Sequence, residues 1–179
     1  RPDELIVRIV ASGICHTDIK FRDTVPKPVV LGHEGSGVVE KIGASVTRVA
    51  IGDPVVLTFG FCGKCASCES GAPTHCGDHH ALQFKGSRLD GSSPLSQDGA
   101  PIYGAFFQQS SFATHAVATE RNAIPISADA PLEMLGPLGC GIQTGAGSVM
   151  NSLSVEAGSS IAVFGTGAVG LSAVMAAQV

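Results

Sequence analysis

Gly32-His33-Glu34-Gly35-Ser36-Gly37, continuing to Gly43 and Val46, sets an imidazole and a carboxylate side by side between glycines, in a chain that carries six cysteines. Imidazole and thiolate together make a favoured zinc set. The reading of the whole chain therefore turns on which cysteines His33 meets. By itself a His–Glu pair is an ordinary polar pair.

Four of the cysteines cluster. Cys62-Gly63-Lys64-Cys65-Ala66-Ser67-Cys68 is followed by Cys76. Two-residue spacings make tight knuckles whose thiolates converge, and four thiolates complete a tetrahedral structural zinc site. Cysteines so spaced are poorly placed to bridge one another, which argues against disulfides. An iron–sulfur cluster is the rival, since ferredoxin-type runs share this spacing. Cys76, however, comes late and precedes Gly77 rather than proline, so the expectation is zinc. Clustered thiols also fit a reducing, cytoplasmic compartment better than a secreted framework.

The bulk properties narrow the function class. With 44% apolar and only 15% charged residues the 179-residue chain can bury a core. A formal charge of −4 with no Lys/Arg run argues against a basic nucleic-acid surface. Ser159 to Val179 has no charged residue, but Gly165, Gly167 and Gly170 interrupt it. We read it as a buried strand, a glycine loop and a helix rather than a membrane span. The start, Arg1-Pro2-Asp3-Glu4, shows no signal-peptide pattern, and the absence of an initiating Met leads us to expect part of a longer protein.

Leu5, Val7, Ile9 and Ala11 alternate along a first strand. Gly13 to Asp18 reads as a polar turn carrying Cys15. Val38 to Ile42 and Pro54 to Phe59 read as further strands, so the segment predicts a compact β-barrel or sandwich. Gly77 to Gly104 is a long polar loop, and His75, His79 and His80 around it are read as surface residues. Ser111 to Val117 returns to strand-like alternation, with His115 structural and without an evident partner. Asp129-Ala130-Pro131 reads as a helix start, and Thr144 to Asn151 as helical. Ser160 to Phe164 is expected as a buried strand feeding Gly165-Thr166-Gly167-Ala168-Val169-Gly170, with a helix over Ala168 to Gln178. Glycines in that strand–loop–helix setting let a backbone approach a pyrophosphate at the helix N-terminus. The acidic residue that would select NAD over NADP falls beyond Val179.

Taken in order, these motifs resemble the zinc-dependent medium-chain alcohol dehydrogenases over essentially the whole chain. Gly32-His33-Glu34, then Gly37, Gly43 and Val46, match that family's zinc signature. Cys15-His16-Thr17-Asp18 precedes it, and the four-cysteine lobe, Gly139-Cys140-Gly141 and Gly165-Thr166-Gly167 follow. Phe106 to Thr114 and Leu135 to Gly145 most resemble the aryl (benzyl) alcohol branch. The resemblance implies a mixed β and α/β chain: a GroES-like β-barrel catalytic domain over residues 1–141, then the first βα unit of a Rossmann coenzyme domain over 142–179. It implies that Cys15, His33 and Cys140 hold a catalytic zinc with one position open. Glu34 lies behind that metal and Asp18 orients the ligating histidine. Cys62, Cys65, Cys68 and Cys76 hold a structural zinc. His16, Thr144 and the glycine loop (Gly165, Gly167, Gly170) bind NAD, with NADP not excluded, and Thr17 takes the alcohol proton. The implied chemistry is reversible oxidation of a primary, aryl or allylic, alcohol to an aldehyde.

Two departures stand out. The histidine that completes the proton relay in the best-known animal and yeast enzymes is replaced by Lys20. The chain also reads as lacking its first strands and most of a coenzyme domain, which makes a non-catalytic zinc-binding fragment one alternative; the glutathione-dependent formaldehyde dehydrogenase branch of the same family is the other. The expected partners are a small alcohol or aldehyde and further copies of the chain, as a homodimer or homotetramer. Neither nucleic acid nor membrane is expected.

Overall fold

A computed structural model describes residues 1–179. Strand β1 (Glu4–Ser12) leads to helix α1 (His16–Arg22), and strands β2 (Gly35–Ile42) and β3 (Pro54–Leu57) follow. Short helices α2 (Ala66–Glu69) and α3 (His79–Phe84) precede the small hairpin β4 (Ser96–Gln97) and β5 (Ala100–Pro101). Strands β6 (His115–Thr119) and β7 (Ala123–Pro125) then lead to helices α4 (Leu132–Leu135), α5 (Gly141–Gly147) and α6 (Ala168–Ala176). The large strands form one antiparallel sheet in the order β6-β1-β2-β3-β7. This half-barrel is the open form of the barrel expected from the strand spacing.

The alternation in β1 does what its period dictates. Leu5 and Val7 are buried while Arg8 faces water. They pack with Val39, Val46, Val49, Val55, Leu57, Ala116, Ala118 and Ala123 into the main core. Fully burying an aliphatic side chain of this kind stabilises by about 1.5–3 kcal/mol. The register slips between Ile6 and Val7 and again between Ile9 and Ala11, so β1 is bulged twice, the second time toward the end that pairs with Gly35. Gly37 sits inside β2, not at a turn. A Cβ there would lie 2.2 Å from the Arg8 carbonyl oxygen, so its glycine permits strand contact.

A second cluster, Val25, Leu31, Phe106 and Phe107 with Phe21, Phe59, Phe84 and Tyr103, underlies the site of His33. Phe21 stacks on Phe84 at 4.8 Å, which fixes α1 against α3. Residues 77–104 are thus more than a polar loop: they contain α3 and the β4–β5 hairpin. Arg88 ties them back to β1 through Glu4, its Nη2 donating to Glu4 Oε2 at 2.8 Å.

Three local expectations are corrected. Cys15 to Asp18 is not a free turn but the start of α1, with extended Cys15 as its cap. The cap of α4 is Pro131; Asp129 instead accepts a hydrogen bond from Ser127. Ser160 to Phe164 forms no strand, and Ile161 and Phe164 are exposed. A parallel strand is stable only when neighbours pair with it and cover it, and no strand of this chain lies alongside. No helix is long and apolar enough to cross a membrane.

Candidate metal centres

The first centre is assembled by Asp18, the buried carboxylate in the first turn of α1. Its Oδ2 accepts the Cys15 N–H at 3.0 Å; its Oδ1 accepts the Gly32 N–H at 3.0 Å and lies 3.0 Å from His33 Nδ1. A carboxylate only accepts, so Nδ1 carries the proton and Nε2 is left with a bare lone pair. His33 is fully buried, and Nε2 has no hydrogen-bond partner. Leaving such an atom unpaired costs about 1–3 kcal/mol. Phe107 stacks on the ring at 4.3 Å and Phe106 meets it edge-on at 5.7 Å, so the imidazole cannot turn away.

Cys140 arrives from the other side, between a tight 3-10 turn (Gly136–Gly139) and α5. The ligand atoms of Cys15, His33, Glu34 and Cys140 all lie within 4.8 Å of one another. Backbone must come very close for this: a Cβ on Gly136 would sit 2.3 Å from the Glu34 carbonyl oxygen. Burial pushes the Cys140 thiol well above its ordinary value, and the negative charges of Cys15 and Glu34 push it further. A divalent cation reverses that balance, since thiolate and carboxylate then neutralise it. Two sulfurs, one bare imidazole nitrogen and a carboxylate therefore fit zinc. So does the orphaned Nε2, which has no other occupant to face.

The second centre is the four-cysteine lobe. The sulfurs of Cys62, Cys65, Cys68 and Cys76 lie within 4.8 Å of one another, and all six cysteines of the chain are free thiols. Backbone N–H groups already point at sulfur: Cys62 N donates to Cys76 Sγ at 3.3 Å and Gly77 N to Cys65 Sγ at 3.4 Å. The Gly77 and Cys68 N–H groups bring Cys65 down to about 6. The Lys64 N–H draws Cys62 down, but burial and the neighbouring sulfurs outweigh it and push that thiol up to about 12. Gly63, at φ +74, makes the knuckle turn. A closed set of four sulfurs with donors on them fits a structural zinc by its chemistry.

The remaining expected residues are more scattered. Thr17 is half-buried beside Asp18, while His16 and Lys20 are exposed on α1. Thr144 is exposed and its hydroxyl donates to the Cys140 carbonyl at 2.7 Å. Gly165 has φ +112, Gly167 caps α6 in extended conformation, and a Cβ on Gly170 would lie 2.1 Å from Gly165 O. The loop and helix are therefore shaped as the glycine pattern predicts, even without a paired strand before them. His75, His79 and His80 are exposed, as expected. His115 has a partner after all: its Nε2 lies 3.1 Å from Glu40 Oε2 across the sheet, a contact set by register.

Sequence reasoning assigned no role to Phe107 or Gln109. Phe107 adopts φ +52 to lay its ring on His33. Gln109 is 1% exposed and clasps the backbone on both sides of Glu34. The readable signal was two adjacent glutamines in an otherwise apolar and hydroxyl-bearing run. Beside Asp18 an apolar groove of about 390 Å³ opens between Ile14, Ile19, Leu31 and Phe112.

With this geometry in place, the chain can be compared with known proteins. Residues 1–128 match the family described as "Alcohol dehydrogenase GroES-like domain". The chain is 52% identical to a geraniol dehydrogenase from Castellaniella defragrans over 98% of its length, covering 48% of that protein. Among solved structures it is similar to an alcohol dehydrogenase zinc-binding domain protein from Burkholderia ambifaria (58% identity, TM-score 0.96, 99% of this chain and 49% of that one). It is also similar to benzyl alcohol dehydrogenase from Acinetobacter calcoaceticus (49% identity, TM-score 0.92, 98% and 48%). The chain spans about half the length of the curated relatives it matches.

Proposed function

We propose a function from one premise: the chain belongs to the zinc-dependent medium-chain alcohol dehydrogenases, through their GroES-like domain. The parent protein, on this reading, oxidises a primary benzylic or allylic alcohol to its aldehyde with NAD as hydride acceptor. Residues 1–141 supply the catalytic domain and 142–179 the start of the coenzyme domain. The observation that carries the reading is the buried, unpartnered His33 Nε2 facing Cys15, Cys140 and Glu34.

Cys15, His33 and Cys140 would hold the catalytic zinc and Glu34 would stand as the carboxylate beside it. Zinc bound there supplies a Lewis acid toward an alcohol oxygen. The chain's own residues do the rest. Asp18 keeps Nδ1 protonated and therefore Nε2 free, and fixes Cys15 through its N–H. Phe106 and Phe107 shut water away from the imidazole. Thr17, half-buried and adjacent to Asp18 in sequence, is assigned to receive the alcohol proton at Oγ1 as it passes its own hydroxyl proton outward. Lys20, exposed on the same helix, stands where the family's relay histidine would be, and the proton leaves either through it or through the coenzyme ribose hydroxyl to water. His16, Thr144 and the Gly165–Gly170 loop are assigned to the coenzyme, the last because free N–H groups at a helix start donate to a pyrophosphate. Cys62, Cys65, Cys68 and Cys76 would hold the structural zinc.

The benzylic or allylic preference draws on the relatives' names and on the apolar groove beside Asp18. A small alcohol or aldehyde is the partner, and a homodimer or homotetramer in the cytoplasm is the proposed state. The test is turnover by the full-length protein of benzyl alcohol, geraniol and S-hydroxymethylglutathione with NAD. The first two should be oxidised; turnover of the glutathione adduct alone would place the protein in the other branch.

A further inference from the structure

Two ligands of the proposed catalytic metal are joined by Asp18, but the third comes from a distant part of the chain. Cys140 lies more than a hundred residues from His33 in sequence, so something must hold its segment against the strand that carries the histidine. A chain of hydrogen bonds does so. Gln109 Nε2 donates to the His33 carbonyl at 2.9 Å and its Oε1 accepts the Gly35 N–H at 3.1 Å. Those two contacts settle which end of the amide is which, because a carbonyl must face nitrogen and an N–H must face oxygen. The same Nε2 reaches the Thr58 carbonyl at 3.4 Å. Thr58, just after β3, then donates its hydroxyl to the Gly139 carbonyl at 2.9 Å, and Gly139 precedes Cys140. Gln143 closes the other end: its Nε2 donates to Thr58 Oγ1 at 2.8 Å and also to the Gly139 carbonyl.

The contact is close as well as polar. A Cβ on Gly139 would lie 1.9 Å from the Leu57 carbonyl oxygen, so the ligand-bearing turn is pressed onto the end of β3. Thr58 itself is pinned by Asn122, which is fully buried: Thr58 N donates to the Asn122 carbonyl at 2.9 Å. We propose that Thr58 and Gln109, with Gln143 bracing Thr58 from the solvent side, are positioning residues that set Cys140 at its distance from His33. None of them touches the metal set; they act through the His33 carbonyl and through the Gly139 carbonyl that precedes Cys140. The open site is then held by two independent braces, Asp18 for Cys15 and His33, and the Gln109–Thr58 chain for His33 and Cys140. The proposal rests on the reading of Cys15, His33 and Cys140 as a zinc site.

The test follows zinc transfer from the full-length protein to a chromogenic chelator, with the four-cysteine site as the internal reference. Thr58→Val removes the hydroxyl with little change of shape. It should speed zinc loss from the open site by about 10–100-fold, the usual effect of losing an outer-shell partner. The slow phase from the four cysteines and the melting temperature should stay where they are, and Thr58→Ser should restore the slow rate. Cobalt at the open site should show shifted ligand-field absorption in Thr58→Val and not in Thr58→Ser. Gln143→Met, on the surface and harmless to folding, should give a smaller acceleration in the same phase. Release at the parent rate in both Thr58→Val and Gln143→Met overturns the proposal. Equal acceleration of both phases with a lower melting temperature also overturns it, by reducing the chain to ordinary packing. A parent protein with only the slow phase would instead remove the open-site reading, and the brace with it.

Discussion

Asp18 touches three groups at once, and each contact fixes something that the metal set needs. The Cys15 and Gly32 N–H groups hold the carboxylate, and the carboxylate holds the His33 tautomer. Asp18→Asn keeps the size but must turn an NH₂ toward one of these three donors. The expected result is a loss of zinc affinity at the open site of about 10–100-fold, read by metal analysis after dialysis against a chelator, with the four-cysteine zinc retained. Unchanged retention of both metals would contradict the assigned role. At this scale the site was largely legible. Cys15, His33, Glu34 and Cys140 were named from their motifs, and the structure brings their ligand atoms together. Gln109 and Phe107 were not, because their roles depend on what a distant strand presents to them. A buried amide on a backbone carbonyl leaves no periodic mark in a sequence. His115 was missed for the same reason: its partner Glu40 is fixed by sheet register, not by spacing.

At the scale of elements, the pattern in β1 was plain and the polar stretch after Gly77 was not. Its contents are short: α3 buries only Leu82 and Gln83, and the β4–β5 hairpin is wholly exposed. Such pieces form because something outside them holds them, and here part of that is the ion pair between Glu4 and Arg88. Burial pushes the Glu4 carboxyl up, but the Arg88 guanidinium and the Arg1 ammonium together more than offset this and hold it below its ordinary 4.5. A depressed carboxylate stabilises the fold above its unfolded value and stops doing so as pH falls through its folded value. Glu4→Gln should therefore lower the melting temperature at neutral pH by about 2–4 °C, corresponding to about 1 kcal/mol. The difference from the parent should shrink as pH drops below 4.5. A gap that persists undiminished in acid would mean that the pair is not what ties β1 to this segment. The Ser160 to Phe164 expectation failed at this scale too. Its residues suit a buried strand, but a strand also needs neighbours, and composition does not supply them.

For the whole molecule, the chain separates two jobs that its six cysteines might have shared. Cys62 to Cys76 lie closer to His33 in sequence than Cys140 does, yet the fold gives His33 to Cys15 and Cys140 and leaves the four-cysteine lobe to itself. That division was implied by the order of the motifs and follows physically from the half-barrel. Strand β2 begins two residues after His33, and the chain leaving β3 carries Cys62 away to a lobe packed around Leu82 while the end of β3 receives the Cys140 turn on Leu57 and Thr58. The central claim is that these are two metal centres of different kind, one closed and one open. Metal analysis of the full-length protein and of its Cys140→Ala variant tests it most directly. The account predicts two zinc ions per chain in the parent, and in Cys140→Ala the loss of the open-site zinc alone, with the fold kept and alcohol oxidation gone. A variant that retained the full zinc content of the parent, or that lost both metals together and unfolded, would contradict it.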